Sequence, residues 1–170
     1  MEDVIILRKL SVHDTEVLST LANNRNIWNN MRDIFPHPYT IDDAKNFIAM
    51  VSKEDLQLTF GIDFNNQLVG VISFIKQPDV YRKSIEIGFW IGEEYWKKGI
   101  TSTSIKKMID YAENSLDVNR IFANVFEHNI ASMKVLKNNG FIEEGISIDA
   151  VYKNNQFHNL HRFYLLVKNG

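Results

Sequence analysis

The stretch from Ile85 to Ser104 combines residue types that suit the binding of a phosphate group. A β-rich run over Ser84–Ile91 leads into a short loop, and a helix begins at Gly99 with four hydroxyl-bearing residues in its first turn. A helix amino terminus presents unpaired amides and about half a positive charge, which favours phosphate or pyrophosphate. Gly99 allows a ligand to approach the backbone closely, and Lys97 and Lys98 add positive charge. An ordinary strand–loop–helix with Ser/Thr capping would use the same residues, so the loop alone leaves anion binding open.

Glu86 is a carboxylate within an otherwise apolar strand, and such a residue could accept a proton in catalysis. A carboxylate in the middle of a strand is costly to bury unless it is paired, which makes the position unusual. The alternative is a structural ion pair, or a side chain that points to solvent from the other face of the sheet. Cysteine is absent from the 170 residues, which excludes disulfides, cysteine–zinc sites and a thiol nucleophile.

Hydrophobic periodicity predicts the elements that must position these residues. Alternating, β-branched runs predict seven strands, and the pairs Asn65-Asn66 and Asn154-Asn155 predict two hairpin turns. Apolar residues at helical spacing between Ile105 and Leu116 predict the helix that follows Gly99. The order β-α-α-β-β-β-α-β-α-β-β predicts an α/β fold with helices on both faces of a mixed sheet, in one domain over residues 1–170. The predicted strands are Val4–Leu10, Leu56–Phe64, Gln67–Lys76, Ser84–Ile91, Ile121–Phe126, Phe141–Lys153 and Gln156–Lys168. The predicted helices run from Ser11 to about Asn24, from Thr40 through Val51, from Gly99 to about Leu116 and over Ile130–Asn139.

The loop around Gly99 resembles a known cofactor motif. It lacks the Gly-Lys-[Ser/Thr] of a Walker P-loop and the glycine partners of a dinucleotide fingerprint. It resembles the acyl-CoA pyrophosphate loop of the GNAT N-acetyltransferases, [Gln/Arg]-x-x-Gly-x-[Gly/Ala], with Trp96 and Thr101 at the first and last positions. The first departure removes a side-chain donor. The second adds bulk beside the phosphates, for which the threonine hydroxyl could compensate.

A second stretch strengthens the resemblance. Asn129 and Ser132 within Asn-x-x-Ser, followed by Asn-Gly-Phe at residues 139–141, are similar to the family's second cofactor motif. The same two residues also fit a helix N-cap and its first turn, which is the structural alternative. With Gly-Phe-Trp-Ile at residues 88–91 and Tyr-Trp-x-x-Gly at 95–99, the pattern resembles the RimJ/RimL-type branch over essentially the whole chain. The resemblance implies a GNAT-like, largely antiparallel seven-stranded sheet.

The resemblance also implies acetyl-CoA as co-substrate and names the residues that would bind it. The pantetheine would enter a gap between two strands that splay apart, with an oxyanion donor among the backbone amides near Phe89 or Trp90. Glu86 would act as general base. Ser132 or water would protonate the thiolate, because Leu136 stands where many relatives have a tyrosine. The implied cofactor-binding residues are Phe89, Trp90, Ile91, Trp96, Lys97, Lys98, Gly99, Ile100, Thr101, Ser102, Asn129 and Ser132.

The acceptor side in relatives is bordered by regions that contain His37 and Tyr39 in the proline loop and Phe157 and His161 in the final hairpin. The resemblance therefore implies these four as substrate-binding residues, whereas the residue type alone favours a surface or structural role over a catalytic one for each histidine. The five histidines lack a second ligand at metal-binding spacing, which indicates no metal site. The expected acceptor is a primary amine, either an N-terminal α-amine such as that of a ribosomal protein or a small amine or polyamine.

Together these features predict an acetyl-CoA-dependent N-acetyltransferase that works by direct attack in a ternary complex, because no cysteine can carry the acetyl group. The alternative is a catalytically weak CoA-binding or regulatory module, which Trp96, Thr101 and Leu136 favour. The net charge of −2 disfavours a nucleic-acid partner. No window approaches the roughly 20 apolar residues of a membrane span. Residues 1–8 carry no secretory pattern, so we expect a cytoplasmic location. The expected oligomeric state is a monomer or a homodimer.

Overall fold

The structure, a computed structural model, describes residues 3–167. Residue contacts group the chain into two compact units. The first contains the residues up to Ser73 together with Phe89–Ser104, and the second contains Phe74–Gly88 and the residues from Ile105 onward. Two sequence predictions reach beyond the described residues. The last predicted strand ends at Lys168, and the segment in which we found no secretory pattern begins at Met1. A single domain over residues 1–170 stays a prediction.

The strands are β1 (Ile5–Arg8), β2 (Thr59–Phe64), β3 (Gln67–Lys76), β4 (Ser84–Ile91), β5 (Arg120–Phe126), β6 (Ile142–Lys153) and β7 (Gln156–Leu166). They form one sheet in the hydrogen-bonded order β1-β2-β3-β4-β5-β7-β6. The β4–β5 pair is parallel, whereas the β1–β2, β2–β3, β5–β7 and β6–β7 pairs are antiparallel. The prediction of a mixed, largely antiparallel seven-stranded sheet is therefore confirmed.

The helices are α1 (Thr15–Ala22), α2 (Arg25–Trp28), α3 (Ile41–Val51), α4 (Ile100–Ser115) and α5 (Ile130–Asn138). Helix α2 was not predicted, because four residues form barely one turn and show no helical periodicity. Its start depends instead on the Asn24 side chain, which accepts hydrogen bonds from the amides of Asn26 and Ile27. The added helix changes the element order without changing the fold class.

Turn and cap chemistry determines where several elements begin and end. Asn65 and Asn66 have φ values of 51° and 66°, and Asn154 and Asn155 have 54° and 60°, which confirms both predicted hairpin turns. The Thr40 hydroxyl accepts a hydrogen bond from the Asp43 amide at 3.2 Å, which confirms the predicted start of α3. Strand β2 begins three residues later than predicted, because the Glu54 carboxylate binds the backbone amides of residues 58 and 59.

The core of the first unit forms because α1 and α3 each carry an apolar stripe. Leu18 and Ala22 of α1 and Ala44 and Ile48 of α3 are buried in one cluster, which also contains Trp90. In the second unit, the predicted apolar stripe of α4 is buried except for the half-buried Ile109, and β5 and β7 residues that include Phe163 are buried as well. Strand β4, the loop that follows it and the starts of helices α4 and α5 carry the predicted catalytic and cofactor-binding residues.

An ion-pair network tethers β1 to the chain segments that flank it. Arg8 Nη2 donates to Asp14 Oδ1 at 2.8 Å, and Arg8 Nε donates to Asp63 Oδ2 at 2.7 Å. Burial opposes ionisation of Asp14, but hydrogen bonds from Arg8 and Ser11 outweigh it and lower the pKa of Asp14 below its ordinary value. The network therefore stabilises the first unit while Asp14 is ionised.

Candidate active site

The loop between β4 and α4 is held by side chains of its own unit. After Ile91 the chain makes a single 3₁₀ turn, whose Glu93 carboxylate accepts hydrogen bonds from Asn24 Nδ2 at 2.7 Å and Asn26 Nδ2 at 2.9 Å. Trp96 Nε1 donates to the carbonyl oxygen of Ile91 at 2.9 Å. The tryptophan at the motif's Gln/Arg position thus braces the loop against the end of β4.

Gly99 lies at the point where the loop becomes helix α4. Its φ is +76°, and a Cβ built on Gly99 would meet no heavy atom within 4 Å. The Thr103 amide donates to the Gly99 carbonyl at 3.1 Å, which is the first backbone hydrogen bond of the helix. The amides of Ile100 and Thr101 come before it, so the helix itself offers them no acceptor. The backbone at Gly99 is therefore open on the side that a Cβ would occupy.

The other predicted loop residues differ in how they could contact a ligand. Lys97 and Lys98 are exposed, and the Lys98 ammonium lies 5.3 Å from the centre of the Tyr95 ring. Thr101 and Ser102, in the first turn of α4, are half-buried. The Ile100 side chain is fully buried, which leaves its backbone as the part that could contact a ligand.

The end of β4 lies directly against β3. A Cβ on Gly70 would lie 2.3 Å from the carbonyl oxygen of Trp90, and the Gly92 amide donates to the Val69 carbonyl at 2.8 Å. The Trp90 side chain is buried beside Phe35, at 5.7 Å between ring centres, whereas Phe89 is half-buried. Glycine at position 70 is thus required for the backbone position of Trp90.

Glu86 lies in the second unit, at the last residue of the parallel ladder. Ser84, Ile85 and Glu86 of β4 pair with residues 120–122 of β5, and within the described residues the ladder ends at Glu86 although both strands continue. Glu86 is buried, at 8% exposure, and its Oε1 accepts a hydrogen bond from Asn124 Nδ2 at 3.1 Å. Sequence reasoning missed Asn124 as this partner, although its spacing of two residues from Phe122 places it on the same strand face.

Asn129 and Ser132 meet at the start of α5. Asn129 Oδ1 accepts a hydrogen bond from the Ser132 amide at 3.3 Å, which is the capping geometry of the structural alternative. Ser132 is half-buried, and Leu136 one turn later is completely buried. The side chain at position 136 therefore packs in the core of this unit.

Comparison with known proteins places these features in a family. Residues 5–142 match the model described as Acetyltransferase (GNAT) domain. The chain belongs to the GNAT acetyltransferase family. It is 27% identical over 168 residues to spermidine N(1)-acetyltransferase of Vibrio cholerae, covering 98% of this chain and 95% of that protein. It is 31% identical over 97 residues to ribosomal-protein-serine acetyltransferase of Escherichia coli, covering 57% and 54%.

A solved structure shares the fold of this GNAT acetyltransferase. It is described as RimL, a ribosomal L7/L12 alpha-N-protein acetyltransferase in complex with coenzyme A, with a TM-score of 0.85 and 22% identity. The match covers 98% of this chain and 96% of that one. This structural likeness supports the fold, whereas the family match over residues 5–142 identifies the protein as an N-acetyltransferase that uses acetyl-CoA. The open backbone at Gly99 beside two lysines fits the pyrophosphate of that co-substrate.

The four predicted acceptor residues of this GNAT acetyltransferase are distributed over both units. In the first unit, the His37 ring lies 5.8 Å from that of Trp28, and Tyr39 is buried at 7% exposure in the core. Burial, with a smaller effect of the Asp43 charge, raises the pKa of Tyr39 to about 12. Tyr39 thus packs as a core residue, so its ring does not form an exposed wall.

In the second unit, Phe157 is 65% exposed and lies 5.1 Å from the Tyr152 ring. His161 Nδ1 lies 2.6 Å from Glu143 Oε1, and this hydrogen bond lowers the pKa of Glu143. His161 pairs with Val125, which places it on the opposite sheet face from Glu86. His161 and Glu86 therefore do not line the same face of the sheet.

The structure also bears on metals and membranes. Among residues 3–167, no group of three or more His, Asp or Glu side chains is arranged to hold a metal ion. In the same part of the chain, no helix has the length and apolar character needed to cross a membrane.

Proposed function

We propose that this acetyltransferase moves the acetyl group of acetyl-CoA to a primary amine by direct attack, with Glu86 as the general base. The observation that carries the proposal is the open backbone at Gly99, where a Cβ would find no neighbour within 4 Å at the start of a 16-residue helix. Such a site suits a pyrophosphate, because the first amides of α4 and the helix dipole favour negative charge. Lys97 and Lys98 would add to that attraction.

Each step of the reaction has a proposed residue in this chain. The backbone of Trp90, Ile91 and Gly92 would hold the pantetheine, and an amide near Phe89 or Trp90 would stabilise the developing oxyanion. The acceptor nitrogen forms its bond to the acetyl carbon as the carbon–sulfur bond breaks. Glu86 accepts the proton that the amine loses, directly or through one water, and Ser132 or water supplies a proton to the departing thiolate.

The environment of Glu86 supports its role as base. The residue is buried, and its carboxylate accepts a hydrogen bond from Asn124 Nδ2, which fixes one oxygen and limits the rotamers of the side chain. A protein α-amine has an ordinary pKa near 8 and a lysine-like amine one near 10, so the second class needs more help from a base. The names of the relatives suggest both classes, a polyamine and a ribosomal protein, as acceptors for this chain.

Two measurements test the proposal in sequence. Calorimetric titration with acetyl-CoA is expected to show saturable binding. A thiol-release assay with spermidine, ribosomal-protein N-terminal peptides and small amino compounds is expected to show CoA formation with at least one class. A matched tertiary amine is the control, because it cannot form a stable amide. Absence of acetyl-CoA binding would overturn the proposal, and binding without thiol release from any primary amine would favour a regulatory CoA-binding module.

A further inference from the structure

An open cleft of about 780 Å³ lies within the second unit, outside the predicted acceptor residues. Its lining includes Ser84 of β4, Arg120 and Phe122 of β5, Glu144 of β6 and Arg162 of β7. The ladder pairs place Ser84 beside Arg120, Glu86 beside Phe122 and Asn124 beside Arg162. Because paired residues project from the same face of a sheet, the cleft lies on the face that carries Glu86.

The cleft has more positive than negative charge. Arg120 Nη2 donates to Glu144 Oε2 at 2.5 Å, whereas Arg162 Nε lies 3.9 Å from Glu144 Oε1. One carboxylate therefore faces two guanidinium groups, and the charged lining residues leave one net positive charge. The Arg162 side chain is 52% exposed, so its guanidinium is accessible to a ligand. Arginine presents a planar set of donors that matches both carboxylate and phosphate.

Aromatic rings orient the second guanidinium. The Arg120 guanidinium carbon lies 5.5 Å from the centre of the Phe122 ring and 5.3 Å from that of the Tyr164 ring. Contacts of this kind hold an arginine in place at a partly exposed site. Arg120 is thus positioned by two rings and Glu144, while Arg162 retains more freedom to pair with a ligand.

The same face of the sheet carries Glu86, which is buried and lies next to a lining residue of the cleft without lining the cleft itself. Glu86 is the ladder partner of Phe122. Phe122 and Arg120 are two residues apart along β5, so their Cα atoms are about 7 Å apart. Asn124, the hydrogen-bond partner of Glu86, is the ladder partner of Arg162. A ligand with a positive and a negative group a few bonds apart would match both charges on this face.

We infer that the acceptor is a small primary amine that also carries an anionic group, either a carboxylate or a phosphate. This inference rests on the proposed function, since it uses Glu86 as the group toward which the amine points. The acceptor's anion binds Arg162 and Arg120, and its amine lies toward Glu86. A polyamine would instead place a second ammonium near the guanidinium groups, where like charges repel.

Thiol-release kinetics with matched amines test the inference. Each of several α-amino acids is compared with its own amide, which removes the anion and keeps the amine, and O-phosphoethanolamine is compared with ethanolamine. Spermidine and a neutral N-terminal peptide complete the panel. We expect kcat/KM, calculated per free amine, to be at least tenfold higher for one anionic series. The series that shows the preference distinguishes carboxylate from phosphate.

Charge reversal at one arginine provides the second arm. Arg162→Glu is expected to abolish the preference for the anionic member of each pair and to raise relative activity with spermidine. Arg162→Lys is expected to keep part of the preference, because the positive charge remains. Arg82→Ala is the control, since Arg82 is exposed and is not among the residues that line the cleft.

The outcomes separate the inference from the proposed function. A preference of less than tenfold for the anionic member in both series, or a preference for spermidine, would overturn the inference and leave acetyl transfer intact. A folded Arg162→Glu protein with an unchanged preference would also overturn it. Failure of the wild-type protein to bind acetyl-CoA would overturn the proposed function itself.

Discussion

Substitution of Gly99 by alanine tests the pyrophosphate site with a change of one methyl group. Gly99 has φ of +76°, and left-handed backbone costs a residue with a Cβ about 1–2 kcal/mol. No steric clash adds to this cost, because the new Cβ meets no heavy atom within 4 Å. Gly99→Ala is therefore expected to lower the free energy of unfolding by about 1–2 kcal/mol and to leave the fold intact.

The same methyl group would occupy the space from which a phosphate approaches the amides of Ile100 and Thr101. Hydrogen bonds to a charged group contribute about 1.5–3 kcal/mol each. Loss of one such bond corresponds to a rise in the dissociation constant for acetyl-CoA of roughly 10- to 100-fold. Calorimetric titration measures this constant, and urea unfolding of the same samples measures the stability cost. Gly99→Val is expected to weaken binding further, because it adds bulk at the same point.

Gly140 offers a matched control in the same chain. Its φ is +84°, and a Cβ there would lie 3.7 Å from Leu165 Cδ1, an ordinary contact. Gly140→Ala therefore has a similar backbone cost and is expected to lower stability by a similar amount, with no change in acetyl-CoA affinity. If both variants bind acetyl-CoA with the wild-type dissociation constant, Gly99 does not face the pyrophosphate and the reasoning is refuted.

Three further changes test other parts of the structure. Glu86→Gln can keep the hydrogen bond from Asn124; steady-state kinetics should show kcat/KM lower by about 10²–10⁴ at neutral pH. That loss should shrink as the pH rises toward the amine pKa, and a loss equal at every pH would make Glu86 structural. Asp14 has a lowered pKa, so its stabilising effect is present above the ordinary value of 3.8 and lost as the pH falls through the folded value. In urea unfolding, the free energy of unfolding of Asp14→Asn should therefore be about 1–2 kcal/mol below that of the wild type at pH 7, and the difference should be smaller near pH 2. An equal difference at the two pH values would contradict this role of Asp14. Gly70→Ala should destabilise the fold by about 3 kcal/mol and weaken acetyl-CoA binding, because its Cβ would lie 2.3 Å from the Trp90 carbonyl oxygen. Its control, in urea unfolding and in calorimetric titration, is Gly145→Ala, since a Cβ at Gly145 would meet no heavy atom within 4 Å.

The sequence by itself determined the features that depend on residues close together along the chain. The Asn65-Asn66 turn, the Thr40 cap and the buried stripe of α4 follow from spacings of two to four residues, which local hydrogen bonds and side-chain periodicity control. The open glycine at the start of α4 belongs to the same class, because its backbone conformation is a property of one residue and its neighbours. The order of these local elements was sufficient to predict the fold class.

Only the tertiary structure decided which distant residues meet. Asn124 is 38 residues from Glu86, and Arg120 is 24 residues from Glu144, so neither contact leaves a periodic pattern in the sequence. Both contacts depend on strand register, since a shift of one residue moves a side chain to the other face of the sheet. The same rule places Arg162 in the cleft and His161 on the opposite face, although the two residues are adjacent in the chain.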